Sequence, residues 1–121
     1  MTDTTDTVDI ATKTPRGAIP KWKKPPARAE ILEEASAIVN GPRNFAYGEA
    51  EDNFGRIARL WRAFFNARYG QDVNITPGDV GLIMILMKVA RLAYDPNHKD
   101  SWVDLAGYAA TGYQAQVAKP K

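Results

Sequence analysis

The stretch that most constrains this chain is residues 80–94, VGLIMILMKVARLAY, which is apolar on every side except at Lys88 and Arg91. Thr76-Pro77-Gly78-Asp79 precedes it and makes a good helix start. Thr76 can cap, Pro77 fits the first turn, and Asp79 takes the third helical position of a capping box. A helix with no polar face is expected to be buried all round. Its uninterrupted apolar run, residues 80–87, is far shorter than the roughly 18–20 residues needed to cross a bilayer. The expectation is the central helix of a soluble bundle.

Three further helices suit that expectation. In ARAEILEEASAIV, Ile31, Leu32, Ala35, Ile38 and Val39 share one side, with Glu30, Glu33 and Glu34 away from it, and Asn40-Gly41-Pro42 is a stop signal. A second helix starts among Glu49, Glu51 and Asp52, where acidic side chains suit the positive end of the helix dipole. It places Ile57, Ala58, Leu60, Trp61, Phe64 and Phe65 on one face and Arg56, Arg59 and Arg62 on the other, and Gly70 ends it. After the turn Asp95-Pro96-Asn97-His98-Lys99, the last helix has Trp102, Leu105, Ala109 and Tyr113 as its apolar side. Asp100, Asp104, Gly107 and Thr111 line the other. Short connections favour antiparallel neighbours, so the predicted fold is all-α, a compact four-helix bundle over residues 27–118 with a tail at 119–121.

Residues 1–26 read differently. Asp3, Asp6 and Asp9 give way to Lys13, Arg16, Lys21, Lys23 and Lys24, and four prolines deny the segment a continuous helix. It is expected to be an extended Pro/Lys-rich arm. The arm either tethers phosphate or an acidic partner, with Trp22 as anchor, or is a solvated tail whose Trp22 folds back on the core.

Composition removes several functions. The absence of cysteine excludes disulfides, a thiol nucleophile and thiolate zinc sites, and a single histidine, His98, excludes a His-rich metal cage. Ser36 and Ser101 are expected to lack a local histidine partner, so acyl transfer is not expected. No Gly-rich phosphate loop is present, and a net charge of +2 is too small to argue for nucleic acid. No segment reads as a secretory signal or a membrane span, so a cytoplasmic protein is expected.

Lys88 and Arg91, three apart, share one face of a helix that otherwise excludes water. Asp100 and Asp104, four apart, share a face of the next, antiparallel helix, so the two pairs can meet. Either they form a salt-bridge network that fixes register, or the cations hold phosphate while the acids hold a divalent metal or a polar ligand group. A third reading has Asp104 capping its own helix in a Ser101–Asp104 capping box. Tyr47, Glu49 and Asp52, at the mouth of the second helix, are secondary candidates, as is Tyr108.

The order Tyr47-Gly48, Asn53-Phe54, Ile57-Ala58, Leu60-Trp61, Lys88 with Ala90-Arg91-Leu92, and Asp100-Ser101-Trp102-Val103-Asp104-Leu105-Ala106-Gly107-Tyr108 resembles a small uncharacterised family of tailed phages and prophages, over roughly residues 30–113. The ending is also similar to nucleotide-modification-associated phage domains and, more distantly, to MazG-like all-α nucleotide pyrophosphohydrolases. In the latter, a Glu-Glu-x-x-Asp-type motif carries magnesium, and Asp100 and Asp104 correspond to its outer acids. Where such enzymes offer a second acidic pair, this chain has Lys88 and Arg91, which suits holding a nucleotide better than hydrolysing one.

The resemblance implies an intracellular nucleotide-binding domain with a MazG-like core, either a divergent metal-dependent pyrophosphohydrolase or a non-catalytic binder. Lys88 and Arg91 would contact phosphate. Asp100 and Asp104 would hold Mg2+ or orient the cations, and Tyr47 or Tyr108 would stack on a base. The alternative is a small phage protein that binds or inhibits a host or defence factor without catalysis. Self-association is expected in either case, because so small a core leaves apolar surface uncovered.

Overall fold

The computed structural model describes residues 18, 20–42 and 49–119. These residues hold four α-helices and no strand: α1 (Ala27–Val39), α2 (Ala50–Tyr69), α3 (Pro77–Tyr94) and α4 (Lys99–Val117). Most of the expected arm, Tyr47 with Gly48, and the end of the tail lie outside the described residues. Trp22, which is described, is 84% exposed and does not fold back onto the helices.

The helix ends follow local chemistry. At the start of α3 the Asp79 N–H donates to the Thr76 hydroxyl (3.2 Å), and the Thr76 N–H donates to the Asp79 carboxylate (3.0 Å). This is the reciprocal capping box expected from the sequence, and such a cap stabilises a helix by about 1 kcal/mol. α2 closes at Gly70, whose φ of 66° lies in the left-handed region that glycine enters without a Cβ penalty. α4 begins earlier than a Ser101 cap would require. Its N-cap is His98, so no Ser101–Asp104 capping box forms. Ser101 is instead buried in the first turn, its hydroxyl 2.7 Å from Nδ1 of His98. Contrary to expectation it does have a local histidine partner, because the first turn of α4 brings residues three apart together.

The centre of the fold is α4, not α3. α4 packs against each of the other three helices, whereas α3 packs chiefly on α4 and α2. The reason is side-chain size. Ser101, Val103, Gly107, Gly112 and Ala115 are the buried residues of α4, and small residues let several helices approach one axis. A Cβ on Gly81 of α3 would lie 2.7 Å from the Gly112 Cα, and one on Gly107 would lie 3.3 Å from a methyl of Val39. The side of α4 expected to be apolar faces outward instead: Trp102, Ala109 and Tyr113 are exposed, and only Leu105 is partly covered. The Trp102 indole N–H donates to the Pro96 carbonyl at 2.9 Å, which holds the ring over the preceding turn.

Around this axis the core consists of Phe54, Ala58, Ile75, Val80 and Ala115, with Ile57, Trp61, Phe65, Met84 and Tyr108 packed against it. Burying Val80 completely, as here, stabilises the fold by roughly 1.5–3 kcal/mol. Leu60 and Phe64, expected on the same face of α2, remain largely exposed, as does the outer side of α3.

Candidate functional site

α3 and α4 run antiparallel in a steady register. Thr76 meets Gln116 at one end through a 3.2 Å hydrogen bond, and Gly81 crosses Gly112. Two turns further along α3, Lys88 reaches Asp104. The Lys88 ammonium lies 2.9 Å from Oδ2 of Asp104, with side chains 25% and 38% exposed. Of the four charges expected to converge, the structure brings these two together. Arg91 and Asp100 are exposed and make no ion pair among the described residues. The cluster is therefore one half-buried pair with a second cation one helical turn along, and water reaches all of it.

Asp104 belongs to a longer polar row. At 100° per residue, Asp100, Asp104, Gly107, Thr111 and Gln114 fall within an arc of about 80° on α4. The far end of the row opens into a pocket of about 400 Å³, where the end of α1 and the start of α2 meet α4. Glu49, Glu51, Asn40, Thr111 and Gln114 supply its polar lining. The Gln114 amide donates to one oxygen of Glu51 at 3.2 Å. The other oxygen, Oε1, is buried and has no hydrogen-bond partner among the described residues. A buried, unpaired acceptor costs about 1–3 kcal/mol, more when charged. Thr111 turns its hydroxyl to its own helix, donating to the Gly107 carbonyl at 2.9 Å. A helical rise of 1.5 Å per residue puts Asp104 and Gln114 about 15 Å apart along the axis.

The other candidates are placed as follows. Glu49 is the N-cap of α2 and lines the pocket, and Asp52 stands exposed in the first turn of that helix. Tyr108 packs against the core and lines a separate, mainly apolar groove of about 550 Å³ between α3 and α4. Tyr47 lies outside the described residues. Glu30 and Glu34 are not a bare acidic face: both reach Lys99 at the start of α4, at 3.7 and 2.5 Å. The hydrogen bond to Glu34 holds the Lys99 ammonium above the usual lysine range; desolvation opposes it, and the charges of Glu34 and Glu30 add to the upward shift. Among the described residues no three Asp, Glu or His side chains gather as a metal-binding group.

The sequence groups Glu51 with Glu49 and Asp52 as carboxylates at the mouth of the second helix, and it was Gln114 that sequence reasoning missed. Gln114 did carry a signal, since it continues the row from Asp100 through Asp104, Gly107 and Thr111. Its partnership with Glu51 spans 63 positions and carried none.

The helical architecture and its polar row define an all-α domain, and residues 30–116 match the family described as Domain of unknown function (DUF6378). The chain belongs to that family. It is similar to the Gene 55 protein of Mycobacterium phage L5, with 47% identity over 72% of this chain and 53% of the relative. It is also similar to the Gene 55 protein of Mycobacterium phage D29, with 42% identity over 65% of this chain and 48% of the relative. The chain thus spans about half the length of the curated relatives it matches. No solved structure matches it. Among the described residues no helix is long and apolar enough to cross a membrane.

Proposed function

We propose that this protein is a phage nucleotide-binding protein with a MazG-like helical core, and that the polar row of α4 is its binding site. The observation that carries this reading is the buried Oε1 of Glu51 beside Gln114, which has no hydrogen-bond partner among the described residues. A carboxylate oxygen accepts from the exocyclic amino group of a base, and a Gln amide offers both a donor and an acceptor to a base edge. A base that donates to Oε1 would satisfy an atom that has no partner among the described residues. Lys88 and Arg91 lie toward the other end of the row, and phosphate takes ammonium and guanidinium donors. The span of about 15 Å is one that an extended nucleoside triphosphate can bridge.

The donor set bears on catalysis. Magnesium typically takes one or two carboxylates together with phosphate oxygens, and Asp104 suits that limited role, entering with the nucleotide. Three gathered acids are missing among the described residues, so binding, not pyrophosphate hydrolysis, is the reading proposed. Calorimetric titration with a panel of nucleoside and deoxynucleoside triphosphates, with and without magnesium, tests it. Binding that is lost in both Glu51→Gln and Lys88→Met supports a site spanning the row. No heat from any nucleotide with a folded protein removes the reading.

A further inference from the structure

We propose that the outer face of α3 is the contact between two copies of this chain, packed antiparallel about a two-fold axis. This face carries no charged side chain, and its one polar group is the Tyr94 hydroxyl at its end. Leu82 and Leu86 are 60% and 64% exposed, and Ile83, Met87, Val89 and Tyr94 are exposed beside them. Lys88 is turned away to Asp104, and Arg91 lies at the edge of the arc, so no charge has to be desolvated on it.

The spacing of the face identifies the occupant as a helix. Leu82, Leu86, Val89 and Ala93 form one row, and Ile83, Met87, Ala90 and Tyr94 form a second, each with the four-three-four spacing that a supercoiled partner helix meets. α3 itself supplies such a helix. In an isologous antiparallel pair each row faces its own copy. Leu82 then lies across from Ala93, Leu86 from Val89, and Met87 from Ala90, so that each larger side chain meets a smaller one. Tyr94 falls at the rim, where its hydroxyl stays wet.

The area is also right. With roughly 100 Å² for each half-exposed large side chain, the face presents on the order of 600–700 Å² per copy, close to the ~800 Å² that each partner gives to a standard interface. The single chain has reason to need it, since three of its eight described buried apolar residues, Ala35, Ala58 and Ala115, are alanines. The dimer does not depend on the nucleotide reading.

Sedimentation of the full chain over a wide concentration range is the first test, and a reversible dimer is expected. Leu86→Glu and Val89→Lys should each weaken association by more than about 30-fold, the effect of losing a central contact residue, with helical circular dichroism unchanged. Mixing the two variants should restore dimers, because the carboxylate introduced at position 86 of one chain then faces the ammonium introduced at position 89 of the other. A protein that stays monomeric at the highest concentration overturns the proposal, and would mean that another partner covers α3. So would a dimer indifferent to Leu86→Glu, or a mixture of the two variants that shows no recovery.

Discussion

Gly81 and Gly112 cross backbone to backbone: a Cβ on Gly81 would sit 2.7 Å from the Gly112 Cα and 3.3 Å from the Tyr108 carbonyl oxygen. In the reverse direction, a Cβ on Gly112 would lie 3.3 Å from the Gly81 Cα. The crossing sets how closely α3 can approach α4, and therefore whether Lys88 can reach Asp104.

The two glycines should respond differently to alanine. Gly81→Ala must push backbone apart, an overpacking cost of about 1–3 kcal/mol that outweighs the ~1 kcal/mol gained in helix propensity. Gly112→Ala needs a shift of only a few tenths of an ångström and should come out near neutral. Gly55→Ala, where the nearest atom is an Arg59 side-chain nitrogen at 3.7 Å, should stabilise. Urea denaturation of the three variants checks the order.

Replacing Lys88 by Met should cost little stability, about 1 kcal/mol or less, because the pair is partly exposed and screened by water. The double variant Lys88→Met with Asp104→Leu should be at least as stable as either single variant. Loss of nucleotide binding in Lys88→Met without a matching loss of stability would assign Lys88 to a ligand; denaturation beside titration reads both quantities.

Glu51→Gln should leave stability unchanged or raise it by about 1 kcal/mol, since it removes charge from a buried oxygen that has no partner among the described residues. The same variant should bind nucleotide at least tenfold more weakly if the carboxylate recognises an amino group. A melting temperature that rises while binding falls is the expected pairing of results.

Lys99 should make a small contribution to stability that is lost at alkaline pH. Its folded-state pKa is raised, first by the hydrogen bond to Glu34. The contribution is therefore fully present below the ordinary lysine value and is lost as pH rises through the higher folded one. The urea midpoint of the wild-type chain should fall across that window, and Lys99→Met should flatten this part of the profile.

The helices were legible because apolar side chains recur at helical spacing and the caps are local: Thr76 and Asp79 sit three residues apart and bond as their spacing requires. The centre was not. Burial on α4 is decided by how near another backbone can come, and glycines 107 and 112 carry no apolar signal to advertise it. The same limit produced the error on α3, whose hydrophobicity reads as burial while its outer half stays uncovered by its own chain. Lys88 with Asp104 followed from antiparallel neighbours. Arg91 and Asp100 did not join them: both side chains stay exposed to water, which pairing in sequence does not predict.

That α4 is the axis also governs how the chain acquires its shape. α1 docks chiefly on α4, through pairs such as Glu30 with Lys99, and Glu51 waits for Gln114 across 63 positions. During synthesis α1 thus emerges long before the surface it needs, and α3 presents its apolar side to the translating cell before Gly112 arrives to receive it. Contacts between distant positions slow folding because loop closure comes before they form. The nascent chain should remain open to other proteins until its fourth helix has left the ribosome.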